Sequence, residues 1–247
     1  MSPSSSTRDE TERVRSIQDN GAKRYDSEMS IYDRVLFAPG REWATSQAHG
    51  DVLEIAVGTG RNLEHYPAGT KLTGIELSGE MLAIARERAA RVGIDADLRQ
   101  GDAQSLDLAD ESFDTVVITL ALCTIPDDRA AVREALRVLR PGGRLVLLEH
   151  VRSPALVVRA VERLIDPLSV RFWGDHFVRD PLDYLAAEGF EVESVARLKW
   201  GIVERVVARK PLGRSEDGHV VDEPRRFEGG GIQDERLAAP GDAEHEH

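Results

Sequence analysis

The sequence predicts an α/β fold: a mostly parallel, seven-stranded sheet covered by helices on both faces and finished by a C-terminal antiparallel hairpin. Three observations carry that expectation. Short apolar runs alternate with helix-like segments from residue 51 to residue 150, and such alternation builds a parallel sheet because each crossover lays a helix back on the sheet. The first apolar run, Val52 to Val57, breaks into Gly58-Thr59-Gly60, a strand ending in a turn whose missing side chains let the backbone approach a ligand. Phe190 to Leu198 and Gly201 to Arg209 are β-rich runs split by Lys199-Trp200, which reads as a hairpin rather than a further crossover.

Taken in order, residues 1–10 are expected to be disordered and 11–46 to form an N-terminal helical lid interrupted at Pro39-Gly40. The main domain, 47–210, then runs through strand 51–57, helix 61–65, strand 71–76, helix 79–92, strand 95–100, strand 113–120, helix 127–139 and strand 143–150. Ser78 is placed to cap the helix that carries Met81, Leu82, Ile84 and Ala85, since a serine oxygen can accept a first-turn N–H. Pro141-Gly142-Gly143 forces a turn between helix and strand. Residues 154–173 carry a broad apolar stripe with Arg152, Arg159, Arg163 and Arg171 around it. That segment reads as an amphipathic helix packed on the sheet, as a cover for an apolar acceptor, or as a helix lying on a lipid surface. Residues 211–247 hold ten acids against four arginines, with Gly229-Gly-Gly231 and few apolar residues, the composition of an acidic disordered tail.

The formal charge of −12 leaves no basic footprint for a nucleic-acid partner. No run of 18 apolar residues is present, so no membrane span is expected. The N-terminus has no apolar signal-peptide core, which makes the cytoplasm the expected compartment, with 154–173 as a peripheral membrane contact in the lipid-surface reading. A single cysteine, Cys123, excludes an internal disulfide and a cysteine-rich metal site, and no metal ligands are assigned. The oligomeric state is not legible.

The glycine turn narrows the ligand. About one strand later, Leu72-Thr-Gly-Ile-Glu76 ends on an acid placed for the two hydroxyls of a ribose. A dinucleotide turn wants a third glycine, so that a pyrophosphate meets the helix N-terminus; here that position is Leu63, and Glu54 stands inside the strand four residues before Gly58. A carboxylate aimed at the turn repels pyrophosphate and suits an ammonium. The ligand described has a ribose, a cationic end and no phosphate. S-adenosylmethionine fits, whereas NAD, FAD and ATP fit poorly.

Glu54-Ile-Ala-Val-Gly-Thr-Gly60, Gly74-Ile-Glu-Leu-Ser78, Gly101-Asp-Ala103, Ser112-Phe-Asp-Thr-Val116 and Leu139-Arg-Pro-Gly-Gly143 follow one another in this order. In these motifs the chain resembles the class I S-adenosylmethionine-dependent methyltransferases, with their Rossmann-like fold. The resemblance implies S-adenosylmethionine as cofactor and S-adenosylhomocysteine as product. It implies that Glu76 holds the ribose hydroxyls and that Asp102 lies near the adenine amino group, with Leu77 and Ala103 flanking the ring. The remaining expected cofactor contacts are Glu54, Ala56, Gly58, Thr59, Gly60, Asn62, Met81, Thr119 and Leu120. Ala56 and Thr59 depart from the Gly and the Cys or other small residue that many relatives carry, and both keep the turn compact. Leu148-Glu-His-Val151, Asp166-Pro167, Gly174-Asp-His176 and Arg179-Asp-Pro181 resemble one branch. It holds soluble bacterial phosphatidylethanolamine N-methyltransferases, animal small-thiol methyltransferases and, as close cousins, quinone C-methyltransferases.

Methyl transfer from a sulfonium is an in-line displacement, so the protein must align the reactants and free a lone pair on the acceptor. The acceptor site is expected at the carboxyl ends of the strands, near Thr119–Cys123 and Glu149–His150. His150 is the first candidate for base or orienting group, Tyr25 a lid residue over the cofactor, and His176 (beside Asp175) the third. The alternatives are a structural bond to the 160s helix for His150, a core anchor for Tyr25 and a surface turn for Asp175-His176, and Cys123 is assigned to packing. The expected acceptor is small or lipid-like. Phosphatidylethanolamine-type amine N-methylation is favoured, ahead of thiol S-methylation and quinone C-methylation. A non-catalytic S-adenosylmethionine binder and a nicotinamide-dependent oxidoreductase are the other classes weighed.

Overall fold

The structure, a computed structural model, describes residues 5–32, 37, 39–172 and 174–212. The expected acidic tail lies outside the described residues apart from Pro211 and Leu212.

Seven strands form one sheet: β1 (Asp51–Ile55), β2 (Lys71–Glu76), β3 (Ala96–Gln100), β4 (Phe113–Thr119), β5 (Leu139–His150), β6 (Glu191–Leu198) and β7 (Val203–Arg209). Their order across the sheet is β3-β2-β1-β4-β5-β7-β6. The pairs β1–β2, β2–β3, β1–β4 and β4–β5 are parallel, whereas β7 runs antiparallel between β5 and β6. The chain winds outward in one direction through β2 and β3, then restarts beside β1 at β4. That reversal opens a crevice at the carboxyl ends of β1 and β4.

Strand residues alternate between faces, and the core divides accordingly. On one face Leu53, Ile55, Val116, Ile118, Leu145 and Leu147 pack against α4 (Asp128–Val138) and α6 (Leu182–Leu185). On the other, Val52, Val117, Val146 and Leu148 pack against α2 (Gly40–Ser46) and α3 (Gly79–Val92). The central strands are apolar on both sides because both sides are covered. α3 begins where expected: Ser78 accepts from the Met81 N–H at 3.1 Å, and Gly93 ends the helix in the left-handed conformation.

Four expectations are corrected. The N-terminal helix α1 (Ser5–Tyr32) starts inside the segment expected to be disordered; Arg13 pairs with Glu10 at 2.6 Å and reaches the carbonyl of Val170, tying the first turns down. Helix 61–65 is only a 3₁₀ turn, Leu63–His65, because the glycine turn leaves room for a single turn before Pro67. β5 starts at Leu139, four residues early. Pro141-Gly142-Gly143 is a bulge, with register jumping from Phe113↔Leu139 to Thr115↔Arg144 and Gly142 bonded to Lys210. Finally, α5 (Leu156–Phe172) forms as expected but does not pack on the sheet through its apolar stripe, which faces outward.

Candidate active site

The site is built on the turn after β1. Gly58 has φ +59°, and a Cβ there would meet nothing within 4 Å, so the backbone is bared toward open space. Gly60 serves packing. Its φ is +80°, and a Cβ would fall 2.6 Å from Leu63 Cδ1 and 3.2 Å from the Ala85 Cα. Ala56 is held at φ +56°, a left-handed conformation that costs a residue with a Cβ on the order of 1–2 kcal/mol.

Glu76 ends β2 beneath that turn. Its two oxygens accept from the Gly58 N–H and the Ser78 N–H, both at 2.9 Å. Burial raises its pKa, and those backbone donors counter the rise by favouring the anion. Asp102, after β3, accepts from the backbone and side chain of Gln104. Glu76, Leu77, Asp102 and Ala103 line one cavity with Ala56 and with Val14 and Gln18 of α1. These are the residues expected at ribose and adenine, and the structure brings them together. An open glycine turn beside a carboxylate and a flat apolar slot suits an adenosyl group, so Glu76 would hold the ribose, with Leu77 and Ala103 about the base.

The other expected cofactor contacts lie deeper. Glu54 is buried with Asn62 donating to one oxygen at 2.9 Å and Tyr66 to the other at 2.8 Å; burial pushes its pKa up to about 7. Through these two bonds Glu54 braces the turn from below. Asn62 also donates to Thr119 at 2.9 Å, and Arg41 reaches Asn62 at 3.0 Å. Thr119 thus belongs to the same brace. Thr59 is buried and donates to Asp26 at 2.6 Å. Met81 is a buried core residue, and Leu120 packs against the core with φ +53°.

Helix α1 straps this half of the site. Thr11 accepts from Gln104, Asp19 accepts from Ser78, and Asp26 takes Thr59 and Arg88. Tyr25 stands half-buried on the same helix, and the carboxylate of Asp26, its neighbour, accepts from Thr59 of the glycine turn. Asp19 and Asp26 were missed because acids on a polar helix look like a solvated face.

The acceptor side lies at the ends of β4 and β5. Glu149 is buried, and one oxygen accepts from the Ala121 and Leu122 N–H groups at 3.1 and 3.2 Å. Its other oxygen, Oε2, has no partner among the described residues. Burial drives its pKa up to about 8, with Glu204 opposite it on β7 adding to the rise. His150 follows, edge-on to Phe177 with ring centroids 5.0 Å apart. Burial lowers its pKa to about 4, so the ring is neutral at physiological pH, and its Nδ1 has no partner among the described residues. His176 donates its backbone N–H to the Cys123 carbonyl, and burial lowers its ring pKa too. Asp175 is pushed up to about 6 by burial. The Cys123 thiol is held protonated by burial and by the nearby Asp175 and Glu149 carboxylates. Glu149 was named only as a position at the strand end; one Glu in an apolar strand carries no signal about which oxygen is free.

Known proteins agree with this architecture. A methyltransferase-domain family model matches residues 53–147. A phosphatidylethanolamine N-methyltransferase from Cereibacter sphaeroides is 39% identical over 144 residues, 55% of this chain and 71% of that protein. A ubiquinone/menaquinone biosynthesis C-methyltransferase from Geotalea daltonii is 30% identical over 56% of this chain and 63% of its own length. A human thiol S-methyltransferase is 33% identical over 52% of this chain and 54% of its own. Among solved structures, an S-adenosylmethionine-dependent methyltransferase from Thermotoga maritima superposes with a TM-score of 0.61 at 24% identity, covering 78% of this chain and 98% of that one. The chain belongs to the class I S-adenosylmethionine-dependent methyltransferases, and S-adenosylmethionine is its cofactor. Within that class it falls in the branch shared by those N-, C- and S-methyltransferases.

Proposed function

We propose that the chain methylates the amine of a lipid-like acceptor of the phosphatidylethanolamine type. The observation that carries this is Glu149, a buried carboxylate whose Oε2 has no partner at the end of β5. S-adenosylmethionine supplies a methyl group on a sulfonium. The protein's task is to strip a proton from the acceptor's ammonium and hold the resulting amine away from water. Glu149 Oε2 takes that proton while Oε1 stays fixed on two backbone N–H groups. A pKa near 8 brings the carboxylate closer to an alkylammonium and makes the transfer less uphill. An anionic acceptor meets the opposite field. Cys123 shows it: Asp175 and Glu149 both disfavour its thiolate, and a substrate thiolate or phenolate placed there would be disfavoured in the same way. The similarity to the Cereibacter sphaeroides enzyme supports the same acceptor class.

The test is an acceptor screen with methyl-labelled S-adenosylmethionine over phosphatidylethanolamine, alkyl thiols and demethylquinones. Label in the lipid amine is expected. Label confined to a thiol or a quinone overturns the proposal.

A further inference from the structure

Helix α5 is built inside out. Its polar Glu162 and Ser169 are buried, and Glu162 accepts the Ser153 N–H at 3.0 Å. Leu156, Val157, Leu164, Leu168 and Phe172 are between 57% and 79% exposed. A helix that hides a glutamate and shows leucines to water has turned its apolar stripe toward something else. The hairpin between β6 and β7 reaches the segment that leads into α5. At its tip Trp200 is 73% exposed, and its carbonyl accepts from Ser153 Oγ at 2.8 Å while Gly201 abuts Pro154. Two elements distant in sequence, each with exposed apolar side chains, thus meet at Ser153 and Pro154, in the segment that follows Glu149 and His150.

We infer that the outer face of α5 and the Trp200 hairpin tip form a docking face for an anionic lipid bilayer. Charge selects this occupant. The exposed charged residues of α5 are Arg163 and Arg171, and exposed Lys199 adds a cation at the hairpin tip. The acids of the helix turn away: Glu162 is buried, and Asp166 is only partly exposed and accepts the Phe177 N–H at 2.7 Å. Two copies meeting through this face would bring arginines together, whereas acidic headgroups would neutralise them. An apolar helix face with a cationic rim and a tryptophan matches the chemistry of the headgroup–acyl boundary. The net charge of −12 does not oppose this, because charges beyond roughly 8 Å are screened at physiological salt. The inference deepens the lipid-acceptor reading but does not need it, since the face is defined without reference to the acceptor.

The experiment is sedimentation of the full chain with phosphatidylcholine vesicles, with and without about 30% phosphatidylglycerol, both free of phosphatidylethanolamine. Binding is expected to the anionic vesicles, weakening with salt. Leu164→Glu/Leu168→Glu should reduce it by about tenfold or more, with S-adenosylmethionine affinity unchanged as the check on folding. Trp200→Ala should give a smaller loss, and intrinsic fluorescence should shift to the blue on vesicles in the parent chain but much less in Trp200→Phe. Equal binding by the leucine variant, no vesicle binding at all, or a dimer in solution that the leucine variant splits would each overturn the inference. Vesicle binding without methylation of any amine would leave docking intact and sink the acceptor proposal alone.

Discussion

The two halves of the site treat their buried acids in opposite ways. On the cofactor side, Glu54 and Glu76 have both oxygens occupied, by Asn62 and Tyr66 in one case and by two backbone N–H groups in the other. On the acceptor side, Glu149 Oε2 and His150 Nδ1 are buried without a hydrogen-bond partner among the described residues. A buried polar atom without a partner costs about 1–3 kcal/mol. The fold thus satisfies the two cofactor-side carboxylates and leaves one carboxylate oxygen of Glu149 open on the acceptor side, although Gln18 Oε1 in the cofactor cavity is also buried without a partner among the described residues. Binding can recover that cost.

The sharpest way to break this comparison is to substitute one acid in each half. Glu149→Gln keeps an oxygen for the Ala121 and Leu122 N–H groups while removing the proton acceptor. It should lower kcat by about a hundred- to a thousandfold and leave S-adenosylmethionine affinity near the parent value in calorimetry. In the parent, kcat/KM should climb with pH until Glu149 ionises near 8; in the variant that limb should disappear. A variant with ordinary kcat would reduce Glu149 to a brace for the 121–122 loop. Glu76→Ala should do the reverse, weakening S-adenosylmethionine binding by about a hundredfold through lost charge-assisted hydrogen bonds. If it instead left affinity intact and lowered only turnover, the division into halves would fail.

Much of the cofactor half was legible, and for a local reason. Gly58, Glu76 and Asp102 follow successive strands of one parallel run, so spacing along the chain maps directly onto spacing in the crevice. Glu54, Asn62 and Thr119, expected as cofactor contacts, are also bonded to one another and to Tyr66. Sequence shows that an acid is near a turn, but not that Tyr66 and Asn62 have already taken its oxygens. The acceptor half resisted because its parts come from far apart. Glu149 gains its raised pKa from burial and from Glu204, which only the antiparallel insertion of β7 brings opposite. The same holds for α5. Its heptad-like apolar stripe was visible, but which side faces the protein depends on where Glu162 finds the Ser153 N–H.

Stability against pH offers a smaller probe of the same contrast. Folded, Glu149 titrates near 8, against an ordinary value of 4.5. Between those values the folded state retains a proton that the unfolded state has released, so stability falls as pH rises across the window. Glu149→Gln removes that loss. Its stability relative to the parent should rise as pH goes from about 5 toward 8, by on the order of a few kcal/mol at most, read as a melting temperature that overtakes the parent's. Glu54, raised to about 7, gives the same sign over a narrower window, so the variant should keep a residual slope. A parallel pH dependence in parent and variant would mean that the Glu149 carboxylate is better solvated than its burial implies.

The smallest expected effect separates holding the cofactor from holding the fold. Ser78 does two things near Glu76: its hydroxyl caps α3 and donates to Asp19 of α1, while its backbone N–H donates to the carboxylate. Ser78→Ala removes the hydroxyl only. Loss of the cap should cost about 1 kcal/mol, or about 2–4 °C in a domain of this size. Because the Ser78 and Gly58 N–H groups still orient Glu76, S-adenosylmethionine affinity should change by less than about threefold. A much larger loss of affinity at the same melting temperature would show that Asp19 reports on the cofactor through α1. The strap, rather than the glycine turn alone, would then set how tightly the cofactor half closes.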